Sequence, residues 1–309
     1  MKTRQICVFL LSLMLLGSIV FSQQPATTAA ADPADPVKQG RKLSDEGKYD
    51  EALALFRQQL EAKPDSYDAH LAMGATLDLK GDYEQAREHI AKAIELASPE
   101  QKPRALRTMG IAYGFVCQTK EAEKNDQQAF DAQVSQQKYT DAAGTANELA
   151  RILLECGDIK GAERWYKTGY DSALKDTKLA EKDRALWDFR WHHAQARIAA
   201  RRGKKQEAAK HVTEARAALD KAQNPGQEPY FPYLTGYVAF YTGDYKNAIT
   251  ELQKASQDDP FILSLLAQAN EKLGDQTKAQ ELYRQILTLN NHGPTNAYAR
   301  PLAKKKLGV

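Results

Sequence analysis

"EGKYDEALALFRQQL" occupies Glu46–Leu60, and "KGDYEQAREHIAKAI" follows at Lys80–Ile94, a spacing of thirty-four residues. Gly47 aligns with Gly81, Tyr49 with Tyr83, Ala52 with Ala86 and Phe56 with Ile90. A fixed period of this length is the mark of a stacked repeat and takes precedence over any other reading. The same frame recurs around Gly157, Gly203, Gly243 and Gly274, each with an Ala five residues later and, four after that, an apolar or aromatic residue. A degenerate copy, "VCQTKEAEKND", puts Cys117 in the Gly place and Ala122 in the Ala place, which makes seven copies. Seven residues before each turn stands a small residue: Gly40, Gly74, Gly110, Ala150, Ala196, Gly236 and Ala267.

The physical content of the frame is a pair of helices. A small residue lets two helices approach closely, and apolar residues flank it at helical spacing, as Leu106, Met109 and Tyr113 do. The turn Gly suits a helix C-terminus because it reaches positive φ without a Cβ penalty. Pro64, Pro99 and Pro260 stand where the second helix of a unit should stop. One such unit cannot bury its apolar face alone, so neighbours must stack. The expected fold class is all-α.

On these residues the chain resembles the tetratricopeptide repeat (TPR) family. Gly40, Leu43, Gly47, Tyr49, Ala52, Phe56 and Pro64 match its small, aromatic, Ala and Pro positions. The resemblance implies a right-handed superhelical solenoid of about seven helix-turn-helix units over 37–290. It also implies a concave surface lined mostly by the first helix of each pair. The tail 291–309 is expected to form a capping helix, with Lys304, Lys305 and Lys306 on its polar outer face.

Composition bounds the rest. Hydrophobic residues make up 42% and charged residues 27% of 309 residues, ordinary values for a folded chain. The formal charge of +3 gives no global attraction for nucleic acid. "MKTRQICVFLLSLMLLGSIVFSQQ" opens with a basic start and an apolar run from Ile6 to Phe21. It reads as a secretory signal over 1–22, cleaved after Ser22. The run is shorter than the roughly 20 residues a membrane span needs, and an uncleaved anchor is the rival reading. The Pro/Ala/Thr-rich stretch 23–36 reads as a linker without fixed structure. The expected location is the periplasm or another exported site.

Two cysteines follow the signal, Cys117 and Cys156, both at turns of neighbouring units. Helix pairs pack 8–10 Å apart, whereas a bridge needs Cα atoms within about 7 Å, so two separate thiols are expected. No nucleophile motif, zinc motif, phosphate loop or dinucleotide fingerprint occurs, so neither catalysis nor a cofactor is expected. His192 and His193 are adjacent and point about 100° apart on a helix, which does not make the i, i+4 metal pair. Trp187 and Trp191 are expected to pack on the preceding helix pair.

The family register singles out the residues expected to face the groove. They are Arg104 and Arg107 in the third unit, and Asn147 and Arg151 in the fourth. The fifth supplies Arg190, His193, Arg197 and Arg201, and the sixth Tyr230, Tyr233, Tyr237, Phe240 and Tyr241. Arg binds carboxylates in a bidentate manner, and Tyr gives large contact area at low entropy cost. Two readings stand: these residues grip an extended protein or peptide partner, or they fill the inside of the superhelix and pair across it. A polysaccharide such as peptidoglycan is the alternative ligand, since tyrosines stack on sugar faces.

Overall fold

The computed structural model describes residues 35–309. The signal, and all but the last two residues of the linker expected from the sequence, lie outside the described residues. Fifteen α-helices and no strand occur among them. Paired by unit they are α1 (Pro36–Asp45) with α2 (Tyr49–Ala62), α3 (Tyr67–Lys80) with α4 (Tyr83–Leu96), and α5 (Lys102–Gly114) with α6 (Thr119–Ser135). Then come α7 (Tyr139–Glu155) with α8 (Ile159–Ala173), α9 (Glu181–Arg201) with α10 (Lys205–Ala222), and α11 (Tyr230–Tyr241) with α12 (Tyr245–Leu252). The seventh pair is α13 (Pro260–Lys272) with α14 (Gln276–Leu287), and α15 (Pro294–Leu307) follows alone. No described helix is long and apolar enough to cross a membrane.

The repeat frame maps onto this architecture turn by turn. Gly81 takes φ 112° as the cap of α3, and its N–H donates to the Leu77 carbonyl. The degenerate turn keeps the same left-handed backbone with Cys117 at φ 50°. The small residue upstream seats the apolar residue of the partner helix. A Cβ on Gly40 would lie 2.4 Å from Phe56 Cε1, and one on Gly74 would lie 2.5 Å from Ile90 Cγ1. Phe56 and Ile90 are wholly buried. In the third unit the same seat holds a carboxyl, because Asp126 Oδ2 would be 2.4 Å from a Cβ on Gly110.

Three details differ from the sequence reading. Pro260 opens α13 at its first turn, behind the Asp259 cap, instead of closing α12. Cys117 and Cys156 form a disulfide, with Cα atoms 5.5 Å apart. Axis separation was the wrong measure there. A helix carries its Cα atoms about 2.3 Å off its axis, so axes 8–10 Å apart bring facing Cα atoms to roughly 3.5–5.5 Å.

The third difference concerns α15. It packs on α13 and α14 as a cap would, but it also packs on α5 and α7, the first helices of the third and fourth units. The last helix therefore lies across the inner face of the solenoid. Arg300 fixes it there, with Nε donating to the Leu79 carbonyl at 2.8 Å and Nη2 to the Tyr49 hydroxyl at 2.7 Å. His292 Nε2 lies 2.8 Å from the buried Asp78 carboxylate, and Lys304 Nζ donates to the Lys80 carbonyl at 2.6 Å. Tyr49 also donates to Asn290, so the turn of the first unit touches the end of the seventh. Of the three terminal lysines, Lys304 is thus turned inward, while Lys306 pairs with Glu271 at 2.8 Å.

Candidate functional site

With α15 across it, the inner face is part core and part open groove, and the residues expected there divide accordingly. Arg197 is 5% exposed and Tyr237 is fully buried. Arg197 Nη2 donates to the Tyr166 hydroxyl at 2.8 Å, and its guanidinium lies over the rings of Tyr166, Tyr233 and Tyr237 at 5.3–5.9 Å. Arg201 donates to Glu155 at 3.1 Å and to the Tyr241 hydroxyl at 3.0 Å, and Tyr237 donates to Glu155 at 3.3 Å. Burial raises the Glu155 carboxyl, while Arg201, Arg197 and Arg151 pull it back down. Burial pushes the Tyr233 hydroxyl up to about 12. Phe240 packs edge-on against Tyr241 and Tyr245. Arg197, Tyr233, Tyr237 and Phe240 thus pack within the solenoid, and of the four only Arg197 shows an edge to open space.

Arg201 and Tyr241, paired with each other, line neither of the two cavities that the remaining residues border on either side of the connector 288–293. The larger, about 550 Å³, lies between α7, α9 and the start of α15. Asn147, Arg151, Arg190, His193 and Tyr230 border it, with one edge of Arg197. Tyr230 is 44% exposed. Arg190 lies over the Trp187 ring at 4.5 Å, and Trp191 stacks on Tyr170 of the preceding pair. His193 is held neutral, since burial and then the charges of Arg197 and Arg151 depress its proton affinity well below the usual histidine range. Its Nε2 meets the Tyr230 carbonyl at 3.3 Å.

Arg151 is the unusual member of this set. Its guanidinium sits over Tyr233 and Phe261 at 5.6 and 5.2 Å, and its nearest anion, Asp259, is 3.7 Å away, too far for a hydrogen bond. Both Nε and Nη2 are buried without a hydrogen-bond partner. A buried donor left in this way is costly, more so when charged, and it would donate to any anionic oxygen that reached it.

The second cavity, about 410 Å³, lies over α1, α3 and α5, with Arg41, Arg104, Arg107 and His292 at its edge. Arg107 is already engaged there, holding Glu148 through Nε at 3.0 Å and Nη2 at 2.6 Å. Neither Asp259 nor the connector is marked in the repeat frame, because both reach the groove through the course of α13–α15.

The sequence matches the tetratricopeptide repeat family over residues 43–109 and again over 233–294. Among curated proteins, none matches it. Among solved structures, a tetratricopeptide repeat protein from Parabacteroides merdae ATCC 43184 superposes with a TM-score of 0.54 at 12% identity. That alignment covers 88% of this chain and 96% of the other, a likeness of fold alone. Pseudomonas aeruginosa pilF aligns at 16% identity with a TM-score of 0.47, over 81% of this chain and 96% of its own. PilW, described as a type IV pilus biogenesis factor, aligns at 18% with a TM-score of 0.41, over 71% and 91%. With two matched segments at opposite ends of one continuous stack of helix pairs, the chain is a tetratricopeptide repeat protein.

Proposed function

We propose that this protein is an exported, non-enzymatic scaffold whose inner groove binds an anionic group of a protein or peptide partner. The TPR fold suggests a protein–protein interaction scaffold, and the finer reading rests on Arg151. Arg151 lines a 550 Å³ cavity with Arg190, Asn147 and Tyr230, and two of its donors, just beneath the cavity wall, have no hydrogen-bond partner. A carboxylate entering there would take a charge-assisted bond from Arg151 and lie within reach of Arg190. Arg104 and Arg107, over the second cavity, would meet a partner that continues along the groove. Export is supported by the signal-like N-terminus and by the Cys117–Cys156 bridge, since disulfides persist in oxidising compartments.

The test is capture from an envelope extract by the wild-type chain and by Arg151→Gln and Arg190→Gln, with melting followed in parallel. Both variants should lose the captured protein while melting within a few degrees of wild type. Undiminished capture by Arg151→Gln would refute the groove assignment. Sedimentation with purified cell-wall sacculi, without any protein partner, would favour the polysaccharide reading. Mass spectrometry of the exported chain should find its N-terminus at Gln23.

A further inference from the structure

His192, set aside above because it does not share a face with His193, finds its partners on the next helix. His192 Nδ1 on α9 lies 3.1 Å from His211 Nδ1 on α10. Both nitrogens converge on Glu214 Oε2, at 3.1 Å from His192 and 2.8 Å from His211. The three donor atoms form a nearly equilateral triangle. A tetrahedral ion bound at about 2.0–2.1 Å requires donors about 3.3 Å apart, so closure on an ion needs movements of only a few tenths of an ångström. All three side chains keep partial access to solvent.

The same fold supplies an internal comparison. His70 and His89 occupy the same places in the second unit: eleven residues before and eight residues after the turn Gly, as His192 and His211 do in the fifth. Their Nδ1 atoms also meet, at 3.0 Å. There, however, His70 Nε2 faces the Pro64 carbonyl at 2.9 Å, which accepts and cannot donate. That fixes a proton on Nε2, makes the neutral ring's Nδ1 an acceptor, and lets His89 donate to it. The place corresponding to Glu214 is Lys92, so this pair is complete by itself.

In the fifth unit the third group is a carboxylate instead. Its Oε2 is buried and makes no hydrogen bond, and Lys210 stands 3.8 Å from its other oxygen. Two imidazole nitrogens within 3.1 Å of one buried carboxylate oxygen, neither hydrogen-bonded to it, are satisfied together by a cation. We propose that His192, His211 and Glu214 bind a divalent transition-metal ion, and that Zn²⁺ suits the site best. Imidazole and carboxylate donors suit Zn²⁺, and three protein ligands leave one position open. Such an ion would pin α9 to α10 on the face away from the groove residue His193.

The test is calorimetric titration of Zn²⁺ into the full chain after chelator treatment and dialysis, repeated on three variants. Wild type should bind one equivalent. His211→Gln and Glu214→Gln should each weaken it on the order of 100-fold or more, since even outer partners of a ligand are worth 10–100-fold. His89→Gln should leave it unchanged within about two-fold, a margin of under ~0.5 kcal/mol. Co²⁺ in place of Zn²⁺ should give the strong visible absorption of a four-coordinate ion in wild type and lose it in His211→Gln. Circular dichroism confirms that each variant is folded. Absence of saturable Zn²⁺ binding would overturn the assignment, as would undiminished binding in His211→Gln or an equal loss in His89→Gln.

Discussion

Asp126 is a carboxyl in a seat built for a hydrocarbon, and Asp126→Ile is expected to stabilise the protein. Phe56, Ile90, Tyr166, Leu252 and Tyr283 hold the corresponding place in other units, all of them buried. Asp126 is 2% exposed, flanked one turn away on either side by buried Ala122 and Phe130. Its carboxyl is held well above the usual carboxylate range by burial and by nearby Glu148, and only Arg107 opposes this. Arg107 is itself committed to Glu148. Isoleucine fits the seat in the second unit, where Ile90 meets Gly74 as closely as Asp126 meets Gly110.

Removing a poorly compensated buried polar group is worth about 1–3 kcal/mol, and burying an Ile side chain about 1.5–3 kcal/mol. Allowing for some overpacking, the net gain at neutral pH should be about 2–4 kcal/mol. At about 2–4 °C per kcal/mol for a domain of this size, the melting temperature should rise by roughly 5–15 °C. The gain should depend on pH. Folded Asp126 keeps its proton to higher pH than the unfolded chain does, so the wild type loses stability as pH rises above about 3.9 and through the folded pKa. The variant lacks this loss, and its advantage should widen from pH 4 to pH 7.5. Thermal unfolding by circular dichroism at both pH values decides the matter. A variant melting no higher than wild type at pH 7.5, or an advantage unchanged at pH 4, would refute the reasoning.

Replacing both bridge cysteines by Ser opens a loop of 39 residues. The chain-entropy relation then gives a loss of about 4 kcal/mol, to be read as a lower denaturation midpoint matched by reduced wild type. Arg197→Glu would set a second buried carboxylate near Glu155 and orphan the Tyr166 hydroxyl, at a cost of about 3–5 kcal/mol. Its loss of helical signal on mild heating would distinguish a packing arginine from a partner-facing one, for which melting would be unchanged. Arg300→Ala should cost about 3 kcal/mol by leaving the Leu79 carbonyl and Tyr49 hydroxyl without their charged donor. Hydrogen exchange should quicken in α15 and at the end of α3 while α10 stays protected; uniform exchange across the chain would count against a local latch.

The pairing of helices was legible because it is local: a turn at positive φ, a small residue and an apolar seat are all written within one unit. Even the degenerate copy announced itself, since Cys117 adopts the backbone of the Gly it replaces. The inner face was less legible. Whether an Arg or Tyr on a first helix contacts solvent or core depends on what crosses that face, and α15 does so from the far end of the chain. Arg197, Tyr233 and Tyr237 therefore pack inside, while Arg151 and Arg190, from the same register, border open space. The histidine cluster escaped because its members sit nineteen residues apart on two helices, a spacing that becomes a contact only once the pair has folded.

The latch formed by α15 also bears on how this protein can change over evolutionary time. Open solenoids gain and lose units freely, because each unit meets only its neighbours. Here Arg300 reaches Tyr49 across 251 residues. Adding or deleting one unit would carry the last helix out of reach of the first turn and break that closure. The copy number is thereby constrained, and variation is channelled into exchanging side chains within a stack of seven pairs whose length is set by the reach of its last helix.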